Sequence, residues 1–180
     1  MIHGYRPGAL AALGYDSAAL RRIRPGIVEV TLDAYGWSGP WRTRRGFDSL
    51  VQMSGGIADA GMRINGADHP VSLPVQALDH ATGYLMAAAA IRGLTRRLAD
   101  GAGSIARASL ARTAAILLAY PYRADEPAPL APESPADFAP DYEITPWGRA
   151  RRLRPPVEIE GAPLRWTISA GRFGSVPPRW

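Results

Sequence analysis

The chain has 180 residues, enough to bury one sizeable core or to complete a larger one. It has no Cys, which removes disulfides, thiol catalysis and thiolate metal sites together. Although 47% of its residues are hydrophobic, no apolar run approaches the roughly 18 residues of a membrane span, since Ala87–Ile91 stops at Arg92. No transmembrane helix and no membrane partner are expected.

The first residues, Met1-Ile2-His3-Gly4-Tyr5-Arg6-Pro7, lack the apolar segment of a signal peptide, so a cytoplasmic chain is expected. The formal net charge is +5, and every basic residue is Arg. Such a balance suits a polyanion. However, the Arg residues are spread along the chain, and the densest cluster (Arg149, Arg151, Arg152, Arg154) lacks interleaved aromatics of the kind single-strand binders use. A solvated surface is the plainest reading, and a phosphorylated small ligand fits the charge about as well as nucleic acid. No nucleic-acid partner is expected. His3 and His69 stand alone and far apart, so no metal site is expected.

Tyr5-Arg6-Pro7-Gly8 reads as a turn after an abrupt start. A short helix follows over Ala9–Leu13, and Asp16 or Ser17 caps a second over Ala18–Ile23, stopped by Pro25-Gly26. Ile27–Leu32 is mostly β-branched or apolar and predicts a buried strand. Helix then strand is the repeating unit of an α/β sheet. The Gly-, Trp- and Arg-rich loop Asp33–Gly46 follows the strand's carboxyl end, where open α/β sheets place ligands. Phe47–Ser54 predicts a helix ended by Gly55-Gly56, and Ile57–Pro70 reads as irregular. The longest helix is expected from Ala81 through Tyr84 to about Asp100, Ala-rich on one face and closed by Gly101. Ser104–Ala108 predicts an edge strand and Ser109–Ala119 a helix. Pro121, Pro127, Pro129, Pro132, Pro135 and Pro140 mark an extended linker. The organisation expected is a core over 1–120, a linker over 121–141 and an irregular tail over 142–180, with extended pieces at Val157–Glu160 and Leu164–Ser169.

The stretch that leads into the longest helix, Leu73-Pro74-Val75-Gln76-Ala77-Leu78-Asp79-His80-Ala81-Thr82-Gly83, holds the main candidate. Asp79 sits where a turn hands over to the helix. Spacing alone favours a helix N-cap. The sharper reading is a carboxylate nucleophile beside small residues, Ala81 and Gly83, that let a substrate approach.

Tyr5-Arg6-Pro7-Gly8-Ala9-Leu10, Arg24-Pro25-Gly26-Ile27-Val28, Tyr35-Gly36-Trp37-Ser38-Gly39-Pro40, Arg45-Gly46-Phe47-Asp48-Ser49-Leu50-Val51-Gln52-Met53-Ser54-Gly55, Leu73-Pro74-Val75 and Asp79-His80-Ala81-Thr82-Gly83 follow one another in the order and rough spacing of the family III CoA-transferases. Over about residues 3 to 112 the chain resembles that family, the group of formyl-CoA transferase, the carnitine CoA-transferases and α-methylacyl-CoA racemase. The resemblance implies part of a Rossmann-like α/β fold with a long helix, coenzyme A as co-substrate, and acyl-CoA and carboxylic acid as substrates. It places Asp79 on the nucleophile, which forms an aspartyl-CoA intermediate, and puts Tyr35 and Arg6 near the CoA site. Tyr35 also reads as a packed loop aromatic and Arg6 as a surface Arg. Phe47 occupies the slot that holds an acid/base His in the racemase branch. Phe carries no proton, which favours transferase over racemase. His80 reads as a surface or capping residue, since adjacent helix positions point about 100° apart. Family members are longer and begin with a strand and a Gly-rich region without a counterpart here. A C-terminal piece, a truncated product or one half of a split enzyme is therefore expected, working as a homo-oligomer or with a homologous chain. The alternative is a non-catalytic homologue bound to a full-length member.

Overall fold

A parallel pairing between segments more than seventy residues apart organises the first part of the chain. In the computed structural model, which describes residues 1–120 and 131–177, two compact units divide the chain, Met1–Arg123 and Ala124–Trp180.

The first unit is mixed α/β, as the sequence predicts. Its elements run β1 (Ile2–His3), α1 (Ala9–Ala12), α2 (Ser17–Ile23), β2 (Val28–Asp33), α3 (Asp48–Ser54), α4 (Ile57–Asn65), α5 (Ala77–Asp100), β3 (Ser104–Ser109) and α6 (Leu110–Ala119). The three strands form a parallel sheet in the order β1-β2-β3, with Ile2 opposite Val30 and Val28 opposite Ser104. The predicted strand and its edge neighbour are both present. Asp16 is the cap of α2, its Oδ1 accepting from Ala19 N–H at 2.7 Å.

Period-2 alternation gives β2 two unlike faces. Val28 and Val30 pack with Met86 of α5, and Leu32, Ala89, Ala90, Ala106 and Ala108 surround them. The alternate residues Glu29, Thr31 and Asp33 are also buried. A second apolar cluster joins Ala34, Val51, Ile57, Leu78, Leu110 and Ala114, and so locks α3, α4 and α6 around the start of α5.

Close approach of α5 to the sheet depends on Gly93, which is buried. A Cβ there would lie 2.6 Å from both Val28 Cγ1 and Ser104 Oγ. Gly to Ala inside a helix ordinarily adds about 1 kcal/mol of stability. Overpacking at this contact costs about 1–3 kcal/mol, so it wins. Gly93→Ala is expected to lower the urea midpoint of unfolding; an unchanged or raised midpoint contradicts the close-packed interface.

The structure differs from the sequence reading at several places. Residues after Gly55-Gly56 are helical: α4 runs from Ile57 to Asn65 between two left-handed glycines, Gly56 (φ 92) and Gly66 (φ 59). Gly61, which resembles a helix breaker, is there because Val71 comes close; a Cβ would meet the Val71 carbonyl oxygen at 2.1 Å. The longest helix starts at Ala77, four residues before Ala81. Ile2–His3 is a strand, because its backbone finds the free edge of β2. In the second unit, Val157–Glu160 and Leu164–Ser169, read as extended pieces, take part in no strand pairing. There β4 (Phe138–Thr145) and β5 (Gly148–Leu153) pair as an antiparallel hairpin instead. β4 begins inside the stretch read as linker. Residues 121–130 of that stretch, and Trp180 of the tail, lie outside the described residues. The Arg cluster also gains the aromatic partners that its linear sequence lacks. Arg149 stacks on Tyr142 at 4.1 Å and Arg152 on Trp166 at 5.3 Å, since β-pairing and chain reversal bring distant rings alongside.

Candidate functional site

Asp79 is the third residue of α5. The N-cap position belongs to Gln76, whose side chain makes no capping bond, so the cap reading of Asp79 is corrected. The orphan N–H of Asp79 is instead satisfied from another helix. Asp48 Oδ2 accepts it at 2.7 Å. Asp48 is 1% exposed, and its Oδ1 accepts from Gln52 Nε2 one turn along α3. Gln52 Nε2 also donates to Val75 O at 3.0 Å, and Gln52 Oε1 accepts from Leu73 N–H at 2.8 Å. The segment entering α5 is thus held by two buried side chains of α3.

The Asp79 residue itself is exposed. Its carboxyl is nevertheless pushed above the ordinary aspartate pKa. Partial loss of solvent is the largest cause, followed by the negative charge of Asp48, while His80 acts in the opposite direction. A carboxylate made less comfortable in its ionised form is a better nucleophile than a fully solvated one. His80 is exposed, as the sequence reading expects of a surface residue.

Residues 82 and 83 divide the work of the Thr-Gly pair. Thr82 is fully buried, with its Oγ1 2.6 Å from Thr113 Oγ1 of α6, which fastens α5 to its neighbour. Gly83 is exposed, lies outside the left-handed region, and has no atom within 4 Å of where a Cβ would stand. Neither backbone strain nor packing within the chain calls for Gly there. It lies four residues after Asp79, on the same helix face, and leaves that face open beside the carboxylate.

Tyr35 and Arg6 occupy different surroundings. Tyr35 is half-buried in the loop after β2, where Asp33 Oδ1 accepts from the N–H groups of Tyr35 (2.8 Å) and Gly36 (3.0 Å). Its hydroxyl is 2.9 Å from Ser54 Oγ, and its ring meets Trp41 edge-on at 5.1 Å. Arg6 is exposed on the wall of a cleft of about 180 Å³ at the carboxyl ends of β1 and β2, with Asp33, Trp37 and Arg107. The cleft floor carries Glu29 and Thr31, whose Oε2 and Oγ1 are buried and without a hydrogen-bond partner. Neither Asp79 nor Tyr35 lines this cleft. Asp48 and Gln52 were missed from the sequence. Two polar residues at i, i+4 spacing, flanking the wholly buried Val51, were the available signal.

Among the described residues, no group of three His, Asp or Glu side chains could hold a metal ion, and no helix is long and apolar enough to cross a membrane.

Comparison with known proteins identifies the family. The family model described as CoA-transferase family III matches residues 1–138. An acyl-CoA transferase of Fusarium pseudograminearum is 31% identical over 118 residues, covering 66% of this chain and 25% of that protein. The human succinyl-CoA:glutarate CoA-transferase is 31% identical over 104 residues, 57% of this chain and 23% of that one. Among solved structures, Rv3272 of Mycobacterium tuberculosis superposes with a TM-score of 0.59 at 30% identity, over 66% of this chain and 33% of its own. The chain therefore spans about a quarter to a third of the length of these relatives. With three quarters of its residues inside the family model, the chain belongs to CoA-transferase family III.

Proposed function

We propose that this chain carries the nucleophile of a CoA-transferase that moves CoA from an acyl-CoA to a carboxylic acid, with Asp79 as that nucleophile. One observation carries the reading: the Asp79 carboxylate stands at the start of α5, raised in pKa, on a helix face left open by Gly83, with its backbone held by buried Asp48.

The Asp79 carboxylate attacks the thioester carbonyl carbon. The C–S bond breaks, CoA leaves as thiolate, and an acyl-aspartyl anhydride remains. Attack of the thiolate on the Asp79 carbonyl then forms an aspartyl thioester and releases the donor acid as carboxylate. The acceptor carboxylate attacks that thioester, giving an anhydride with Asp79 and freeing thiolate once more. Thiolate attack on the acceptor's carbonyl completes the new acyl-CoA and returns Asp79 as carboxylate. Each step exchanges one activated acyl for another, which is how covalent catalysis divides a hard exchange. The nucleotide end of CoA is assigned to the cleft that Arg6 lines. Arg6 and Arg107 suit phosphate oxygens there. Tyr35 shapes the loop beside that cleft through its bond to Ser54. Phe47, exposed at the start of α3, supplies no proton, in keeping with transfer rather than racemisation.

Incubation with an acyl-CoA and hydroxylamine, followed by peptide mass mapping, tests the reading. A hydroxamate on Asp79 is expected; modification elsewhere, or none when a homologous longer chain is added, refutes it. Gly83→Leu places a side chain over the open face and is expected to cut trapping by about 10-fold or more. Its melting temperature should not fall, since no atom lies within 4 Å and Leu favours helix. Full trapping by this variant would refute access across Gly83.

A second reading is favoured by exposed Tyr84, Leu85, Ile91, Leu94 and Leu98 on α5. It is a subunit, catalytic or not, that works with a second copy or a homologous chain. Native mass spectrometry distinguishes the two: a stable monomer that turns over alone removes the subunit reading.

A further inference from the structure

We infer that Gln52 is a positioning residue for Asp79, acting through Asp48 and through the segment that enters α5; the inference rests on Asp79 being the nucleophile. Gln52 is 2% exposed, and a buried side-chain amide is costly unless its groups are satisfied. Here its nitrogen donates to Asp48 Oδ1 and Val75 O, and its oxygen accepts from Leu73 N–H. Two of these three bonds fall on backbone just ahead of α5. The third fixes the carboxylate whose other oxygen holds Asp79 N–H.

The need for such a brace follows from the helix start. The first four N–H groups of a helix have no partners within it. Gln76, at the cap position, offers no side-chain bond. Leu73 and Val75 are exposed, so little apolar packing holds this stretch in place. Without Gln52, the Asp48 carboxylate is free to turn and the incoming segment is free to shift, and both errors arrive at Asp79. Gln52 has no recorded bond to Asp79 itself, so its influence is on where the carboxylate stands.

Amide hydrogen exchange and side-chain titration by NMR on the full chain test this. Gln52→Met keeps the length and removes all three bonds. Gln52→Glu keeps the acceptor for Leu73 N–H and removes both donors. In both variants the Asp79 amide is expected to exchange about 10-fold faster, the loss of roughly one hydrogen bond's protection. The Leu73 amide should lose protection only in Gln52→Met. Asp79 faces Asp48 and His80, and in Gln52→Met, which adds no charge, its titration midpoint should fall toward the ordinary aspartate value as its carboxyl gains solvent. Protected amides at Val30 and Ala114 establish that the fold is kept. An Asp79 amide and midpoint unchanged in folded variants overturns the inference. So does loss of fold in both, which makes Gln52 a core residue only. Failure of the nucleophile reading is separate: it shows as no adduct on Asp79 in the unaltered chain.

Discussion

With Asp79 as the proposed nucleophile, Asp79→Asn is expected to abolish CoA transfer. The amide keeps the shape and leaves the backbone bond to Asp48 in place, so the fold and substrate binding are retained while the nucleophile is gone. Turnover in the assembled enzyme is expected to fall by roughly 10⁴-fold or more, with KM for acyl-CoA little changed. Steady-state kinetics with both substrates checks this, and a loss under about tenfold would place the nucleophile elsewhere. The same carboxylate is expected to set the acid side of the pH profile. Only an ionised carboxylate attacks, and burial and the charge of Asp48 hold this one above the ordinary aspartate range. As pH falls, the rate of the first acyl transfer therefore begins to drop at a higher pH than an ordinary aspartate would give. Asp48→Asn removes the second of those causes and should move that limb to lower pH.

Asp48→Ala produces the second large effect, on stability. It removes the acceptor of Asp79 N–H and one of the two acceptors of Gln52 Nε2, which keeps Val75 O, at a position that is 1% exposed. A stranded donor costs about 1–3 kcal/mol, and a total loss of about 2–4 kcal/mol is expected. Chemical denaturation measures it. Asp48→Asn retains an acceptor for Asp79 N–H and should lose less than half as much. Equal losses in the two variants would mean that bulk at this position matters and the hydrogen bonds do not.

The sequence made some of this legible and hid the rest for physical reasons. The order of motifs ending in Asp79-His80-Ala81-Thr82-Gly83 led to the helix and its carboxylate, because a helix start with small residues is local information. The role of Asp48 was hidden because its partner is 31 residues away, and an acidic residue opening a helix already has a local explanation as a dipole partner. In β2 the apolar residues were read and the polar ones passed over, although Glu29, Thr31 and Asp33 alternate with them at the period of a strand. Helix α4 fell within a stretch read as irregular; its Gly61 is required by a backbone that approaches it from Val71, which no local pattern shows. The β4–β5 hairpin was masked by prolines upstream that carry over into its first strand as Pro140.

The register of β2 on β3 also bears on the order of assembly. Val28 pairs with Ser104, so 104 − 28 = 76 residues must be drawn into a loop before the first rung of that ladder forms. Closing such a loop costs about 4 kcal/mol in chain entropy beyond its constant part. The Asp48–Asp79 contact spans 31 residues and closes at lower cost. During folding, the brace at the head of α5 can therefore form first, and the helix it holds then serves as the template on which β2 and β3 meet.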